Sequence, residues 1–261
     1  MTERRDRFRE LHADGIFVMP NPWDVGSAKL LASMGFEALA TTSAGLAWSL
    51  GKLDMQVTRD ELVAHVERLT AATPLPLNVD SERCFPDEPG GVAETVRLLA
   101  DAGAAGCSIE DFDPATGEIE ALDVAAARVA VAASGPLVLT ARAENHLHGV
   151  DDLDDTIARL VAYREAGADV VYAPGLADLG SISRLVDEVG VPVNVLALPN
   201  GPTVAELGAA GVRRVSTGGA LARYAYGALL NGAAELRDAG TSRYSDDGAP
   251  AEALRTALGR G

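Results

Sequence analysis

Short, nearly continuous apolar runs alternate along this chain with longer segments in which apolar residues recur every three or four positions. The runs are GIFVMPN (15–21), EALATTS (37–43), PLPLNVD (74–80), GCSIED (106–111), PLVLTARAE (136–144), DVVYAPG (169–175), PVNVLAL (192–198) and RRVSTGG (213–219). Runs of this length predict strands buried on both faces of a parallel sheet. Between them, DDLDDTIARLVAYREAG sets Leu153, Ile157, Leu160 and Val161 on one helical face with acids in the first turn, and GGVAETVRLLADAG and TVAELGAAG read the same way. Four junctions share one form, a helix, then Ala-Gly or Met-Gly, then a strand: MGFEALATTS (34–43), AGAAGCSIED (102–111), AGADVVYAPG (166–175) and AGVRRVSTGG (210–219). A glycine there accepts the left-handed conformation that ends a helix.

Eight strands alternating with helices in 261 residues predict an α/β fold, the (β/α)8 TIM barrel, as a single domain over 1–261 with a helical extension over about 220–261. An open doubly wound sheet is the alternative, and no GxGxxG follows the first strand to favour it. The long apolar LARYAYGALLNGAAEL segment is compatible with burial in a partner.

Composition narrows the partners. Hydrophobic residues are 48% and charged residues 23%, the balance of a soluble globular protein. A net charge of −16, from 38 acidic and 22 basic residues, argues against a nucleic-acid or anionic-membrane surface. A small anionic substrate then needs an Arg or a divalent cation to reverse the field locally. No run approaches the roughly 18 apolar residues that span a bilayer, and MTERRDRFRELHADG holds no apolar export core, so a cytoplasmic protein is expected. Cys84 and Cys107 form neither a disulfide framework nor a CxxC pair. Cys107 is expected in the core and Cys84 as a packing residue near the mouth. His12 and His65, on helices, are expected on solvated faces.

In such a barrel the chemistry gathers at the C-terminal ends of the strands. Those ends carry Thr42-Ser43-Ala44, Asp80 with Glu82, Glu110 with Asp111, Arg142 followed by His146, and Asn194; Asp54 closes the loop after the second strand, and Tyr172 and Asn194 face either the barrel or the helices. Converging carboxylates raise one another's pKa unless a cation neutralises them. An oxygen-only donor set favours Mg²⁺, with Mn²⁺ as the alternative, over Zn²⁺. Arg142 is a planar cation suited to a carboxylate or phosphonate. No second cation is evident near it.

The segments NPWDVGSAKLLASMGFEALATTSAGLAWSLGKLD, LNVDSE, SIED, LTARAE, AGADVVYAPG, PVNVLA and ELGAAGVRRVSTGG, in that order, resemble the isocitrate lyase / phosphoenolpyruvate mutase superfamily over nearly the whole chain. The resemblance implies a (β/α)8 barrel with Mg²⁺ at its mouth, acting on 2-oxo or 2-hydroxy acids through an enolate. It also implies a tetramer, a dimer of dimers in which the eighth helix is exchanged between subunits. It makes Asp80 the acid that binds the metal directly, with Glu82, Glu110 and Asp54 holding it partly through water. Arg142 grips the acid group of the substrate, and Thr42, Ser43 and Ala44 bind its carboxylate and enolate oxygens. Asn194 joins the substrate-binding set; Arg142, Asp54 and His146 are the candidate catalytic residues.

One loop departs from the family. After the fourth strand the C–C lyases carry a Lys-Lys-Cys-Gly-His-like segment and the mutases a Lys and an Asn; this chain has Phe112-Asp113-Pro114-Ala115-Thr116-Gly117-Glu118. The expectation is therefore a Mg²⁺-dependent lyase or decarboxylase acting on a small 2-oxo or 2-hydroxy (di)carboxylate, with its proton from water, His146 or that loop. P–C bond chemistry (a phosphonopyruvate hydrolase or phosphonomutase-like activity) is the runner-up, and a catalytically silent 2-oxo-acid-binding barrel is the non-enzymatic alternative.

Overall fold

The computed structural model describes residues 2–259. Its parallel strands are β1 Phe17–Met19, β2 Leu39–Ala40, β3 Leu77–Asp80, β4 Gly106–Glu110, β7 Val138–Arg142, β8 Val170–Tyr172, β9 Val193–Leu196 and β10 Arg214–Ser216; the two-residue strands β5 Phe112–Asp113 and β6 Glu118–Ile119 make a hairpin in the loop after β4. The eight parallel strands form one sheet in the order β1-β10-β9-β8-β7-β4-β3-β2. All eight lie within the runs expected from sequence, and the expected barrel is the fold found. Helices follow the strands in turn: Val25–Ser33, Ser43–Ser49 with Arg59–Ala72, Gly91–Asp101, Leu122–Ala133, Leu153–Glu165, Leu179–Val189, Val204–Ala209 and Ala220–Ala239. The four junction glycines, Gly35, Gly103, Gly167 and Gly211, all adopt positive φ, so the left-handed caps turn the chain from helix to strand as the sequence predicts.

The seam between β1 and β2 is closed by single bonds rather than by a ladder. The Ala40 amide donates to the Pro20 carbonyl at 3.1 Å, and the Asn21 side-chain amide donates to the Thr41 carbonyl at 2.6 Å. The Asn21 side-chain carbonyl accepts from the amides of Thr217 and Gly218, both at 2.9 Å. One asparagine thus ties β1, β2 and the end of β10.

One row of the register positions most of the polar side chains inside the barrel. Glu110 stands opposite Arg142, Arg142 opposite Tyr172, Tyr172 opposite Asn194, Asn194 opposite Arg214, and Arg214 opposite Phe17. Glu82 extends the row, its carbonyl accepting from the Glu110 amide at 3.0 Å. Residues in register across neighbouring strands point to the same face, so this row winds around the barrel interior. It starts at the first residue of β10, deep in the barrel, and leaves at the last residues of β7 and β4.

The bottom of the barrel is plugged by the N-terminal helix Thr2–Leu11. Phe8 and Leu11 are buried with Phe17, Met19, Ala38, Ala40, Ala105, Val138 and Val170. Gly106 makes room for Phe8: a Cβ there would lie 2.7 Å from the Phe8 ring and 2.7 Å from the Val138 carbonyl. A second, larger cluster fills the space between the sheet and its helices.

Two histidines depart from expectation. His12 and His65 are 6% and 3% exposed rather than solvated. His12 packs edge-on against Phe8 and Phe17, with ring centroids 4.8 and 5.0 Å away; its charged helix hides this because one face alone turns inward. Burial pushes His12 down to about 3, helped by nearby Arg214, and His65 down to about 4, helped by Arg68. The Nε2 of His65 is buried without a hydrogen-bond partner.

A lowered imidazole pKa stabilises the fold above the unfolded value of about 6.5, and the contribution is lost as pH falls toward the folded value. His65→Leu is therefore expected to gain on the wild type by about 1.4 kcal/mol per pH unit between about pH 6 and pH 4.5, and to hold a constant offset above pH 7. Urea unfolding curves across this range check it; parallel pH profiles for the two proteins would contradict the assignment.

Candidate active site

The C-terminal ends of the strands surround a cavity of about 190 Å³, below the range of drug-sized pockets and suited to a small metabolite. Its walls include Thr42, Ser43, Ala44, Asp54, Asp80, Arg142, Tyr172, Asn194 and Ser216, with Arg214 deeper at the start of β10. Of the residues expected from sequence, the cavity thus gathers all but Glu82 and Glu110, which stand behind Asp80 and Arg142, and His146.

Arg142 organises the acids. Its Nε donates to Glu144 at 2.7 Å and its Nη1 to Asp80 at 2.8 Å, while Glu110 lies 3.1 Å from Nη1. Burial works against its charge, yet Glu144, Glu110 and Asp80 outweigh that and hold it firmly protonated. Its guanidinium also stands 5.5 Å from the centre of the Tyr172 ring. The other Asp80 oxygen accepts from the Ser43 amide at 3.0 Å. Thr42 caps the helix Ser43–Ser49 by accepting from the Gly45 amide, which fixes the Thr42-Ser43-Ala44 wall.

The acids outnumber this cation. Burial raises the Glu110 carboxyl well above the ordinary range although Arg142 opposes it. Burial, then Asp80 and Asp54, push Glu82 up to about 8. Glu144 is raised by burial against the pull of Arg142. Asp54 stands at the exposed rim, and burial raises its carboxyl while the Ser43 side chain opposes the rise. Glu82 sits on a strained turn in which Glu82, Cys84 and Phe85 all have positive φ, from 47° to 58°, a conformation that holds non-glycine residues only when surrounding contacts impose it.

Among the described residues no group of three or more His, Cys, Asp or Glu side chains is already arranged around a common metal position. The chemistry of the donors nonetheless fits a hard divalent cation. All are carboxylate oxygens, and at Glu82, Glu110 and Asp54 burial, with neighbouring acids adding to it, favours the protonated form that a bound cation would replace. Asp80, Glu82 and Glu110, with Asp54 at the rim, are the residues that could hold one.

His146 lies outside this constellation. It belongs to the short turn Asn145–His148; its Nε2 is 3.4 Å from the Thr156 hydroxyl and its Nδ1 3.6 Å from Asp151. The next residue, Leu147, lines the cavity instead. Cys84 is fully buried, its Sγ 3.1 Å from the Ser81 hydroxyl, and Cys107 is fully buried in β4. Trp48 packs edge-on against Tyr226, 6.1 Å away.

The loop after β4 is bolted down. Arg83 pairs with Asp113 at 3.0 Å and with Glu120. Arg128 donates to Glu120 and, at 3.0 Å, to the Glu110 carbonyl. Asp111, 1% exposed, accepts from the Tyr163 hydroxyl at 2.6 Å, from Arg159 at 3.2 Å and from the Glu144 amide at 2.9 Å. It orients the neighbouring loops and takes no part in the cavity wall.

Three site features were not foreseen: the full engagement of Arg142, the place of Glu144 in its ion cluster, and Arg214. Arg214, a cation not expected from sequence, lines the same cavity as Arg142. Only the register joins the two, since their strands are far apart in sequence.

Similarity to known proteins agrees with these features. A family model described as phosphoenolpyruvate phosphomutase matches residues 8–237. A solved structure from Burkholderia cenocepacia J2315, classed provisionally as a lyase/mutase, is 50% identical, aligns over 97% of this chain and 94% of its own, and has a TM-score of 0.92. An oxaloacetate decarboxylase from Paraburkholderia xenovorans (strain LB400) is 31% identical over 76% of this chain and 70% of its own length. The structure of oxaloacetate acetylhydrolase with its product oxalate is 26% identical, covers 97% of this chain and 93% of its own, and has a TM-score of 0.86.

Arg142→Met removes the cation that three carboxylates share. The expected loss is about 3–5 kcal/mol at pH 8 without added divalent cations. It shrinks at pH 5, because acids with raised pKa values take up protons as pH falls. Urea unfolding at the two pH values checks this, and an equal loss at both would contradict it.

Proposed function

This chain belongs to the phosphoenolpyruvate mutase / isocitrate lyase superfamily, and from that premise we propose that the cavity is the active site of a Mg²⁺-dependent lyase or decarboxylase for a small 2-oxo or 2-hydroxy dicarboxylate. The observation that carries the reading is the acid cluster around Arg142 at the mouth of a cavity of about 190 Å³. Buried acids in such excess are costly for stability, and a cation-dependent reaction gives them a use.

Asp80, Glu82 and Glu110, with Asp54, would hold the ion; Mn²⁺ would serve as well. When bound, it supplies Lewis-acid stabilisation of the charge that develops on two adjacent oxygens of an enolate. The chain's own residues do the rest. Arg142 holds Asp80 and Glu110 in place. Thr42, Ser43 and Ala44 form the wall against which the 2-oxo acid end rests. Asn194 and Ser216, hydrogen bonded at 2.9 Å, line the wall between the mouth and Arg214. When a 2-oxo acid loses CO2, the electron pair of the broken C–C bond stays on the carbon beside the oxo group. When a 2-hydroxy acid is cleaved, its hydroxyl gives up a proton to become the oxo group and the pair stays on the carbon of the departing carboxylate fragment. In either case that carbon needs a proton. Tyr172 lines the cavity, and burial keeps its phenol protonated. We assign it the proton that the loop after β4 lacks the side chains to give.

The same premise extends to assembly. Tyr224, Leu229, Leu230 and Leu236 on the helix Ala220–Ala239 are 79%, 65%, 70% and 53% exposed, a patch that isolated chains rarely leave in water. We propose that this helix is exchanged between subunits in a homo-oligomer, a dimer of dimers.

A panel of 2-oxo and 2-hydroxy dicarboxylates tests the activity. Turnover is expected to require Mg²⁺, to stop with EDTA, and to fall at least about 100-fold in Asp80→Ala. Tyr172→Phe is expected to lower kcat by about 100-fold with little change in KM. Binding without turnover by the wild type would instead support a silent acid-binding barrel. Leu230→Arg is expected to reduce the assembly to smaller species in sedimentation experiments, and an unchanged oligomer would remove the helix from the interface.

A further inference from the structure

Arg214 is a buried guanidinium at the deep end of the cavity, and no carboxylate among the described residues pairs with it. It is 1% exposed. Its Nε donates to the Asn194 carbonyl oxygen at 2.9 Å, its Nη2 to the Thr140 hydroxyl at 2.9 Å, and its Nη1 to the His12 Nε2 at 3.2 Å. His12 can accept because its Nδ1 faces the Phe8 carbonyl, 2.7 Å away. All three partners are neutral. Burial loosens the hold of Arg214 on its proton, bringing it down to about 9, and the group that opposes this is the Tyr172 phenol rather than a carboxylate.

Such an arrangement is unfavourable for the fold. Desolvating a guanidinium costs several kcal/mol, and buried Arg is ordinarily paired with a carboxylate. The interior layers of a (β/α)8 barrel are normally filled by branched apolar side chains, whereas here Asn78, Thr140, Asn194, Arg214 and Ser216 line the interior cavity. A guanidinium carries five N–H groups, and three are engaged with the partners named. The deep end of the cavity therefore holds a positive charge that no carboxylate among the described residues compensates. That charge suits a negatively charged ligand and serves no packing purpose.

The geometry points to Arg214 as the seat of the substrate's second carboxylate, with the 2-oxo or 2-hydroxy acid end held at the mouth. This rests on the proposed reading of the cavity as an acid-binding active site and names the feature that selects dicarboxylates. Arg142 does not fill the role, because Asp80, Glu110 and Glu144 already share its charge. A phosphonate, carrying close to two negative charges, would find a single unmatched cation here. A carboxylate, carrying one, is matched. The register row explains how one cavity offers both ends: the row places Glu110 and Arg142 at the strand ends and Arg214 at the start of β10.

The test compares malate with 2-hydroxybutyrate, which carries a methyl group where malate has its second carboxylate. Both are titrated calorimetrically, with Mg²⁺ present, into the wild type, Arg214→Met and Arg214→Gln. The wild type is expected to prefer malate by at least about tenfold. Both variants should lose that preference, bind 2-hydroxybutyrate as the wild type does, and melt no lower than the wild type. The Gln variant keeps a hydrogen-bonding tip for Asn194 and Thr140 should Met leave them stranded. A retained malate preference in the variants, or an equal loss of both acids together with a lowered Tm, overturns the assignment and makes Arg214 part of the scaffold. If the wild type binds neither acid, the acid-binding reading of the cavity fails along with it.

Discussion

The strand register is the constraint on which the site depends. Each strand end contributes one or two polar side chains, and none makes a site alone. The parallel pairing puts Glu82, Glu110, Arg142, Tyr172, Asn194 and Arg214 on one row inside the barrel. A slip of one residue in any pairing would turn the adjacent side chain toward the helices and break the row. Several restraints oppose such a slip. Asn21 clamps the β1–β2 seam, the Glu110 amide bonds to Glu82, and Gly106 admits Phe8 beneath the row.

Charge along this row is distributed unevenly. At the mouth, carboxylates outnumber the one guanidinium, and burial, with the neighbouring acids adding to it, raises the carboxyl groups of Glu110, Glu82 and Glu144. At the deep end a guanidinium has only neutral partners. The protein thus keeps opposite charges apart inside one cavity, although pairing them would be more favourable. Buried groups without partners are destabilising, so this separation is a standing cost that the apolar clusters below and around the barrel offset. A ligand able to satisfy both ends, with a cation among the acids, relieves it. Stability and binding are opposed at the same residues, a trade-off common to functional sites.

Much of the fold is legible in the sequence, because strand runs and cap glycines are local signals. Gly35, Gly103, Gly167 and Gly211 announce helix ends without reference to any distant residue. The acids at the strand ends are legible too, since a barrel gathers its strand termini whatever the details. What escapes is whatever depends on register or on the far side of a helix. Arg214 reads as one of two adjacent arginines before a strand, yet Arg213 is more than a third exposed while Arg214 is buried; alternation alone does not say which faces inward. His12 lies beside a helix so rich in charge that its buried face is masked. His146 follows Arg142 by four residues, but the turn Asn145–His148 directs it toward Thr156.

The loop after β4 bears directly on where a proton could come from. In sequence it is notable for lacking Cys, Lys and His between Phe112 and Glu118. In the structure it is a hairpin held by Arg83 and Arg128 through Asp113 and Glu120, with Phe112 stacked 3.5 Å from the His148 ring. A segment so restrained is poorly suited to swing a donor into the cavity, and it has none to bring. On the proposed reading, the proton for the carbon comes from water or from a group that already lines the cavity and holds a proton near neutral pH. Asp54 at the rim does not meet that condition when its charge is engaged with a cation. Ser216 and the threonines are far weaker acids than a phenol. Tyr172 meets both conditions, and its place on the register row between Arg142 and Asn194 sets it midway between the acid mouth and the cationic floor. A dicarboxylate spanning those two ends would lay its central carbons across it.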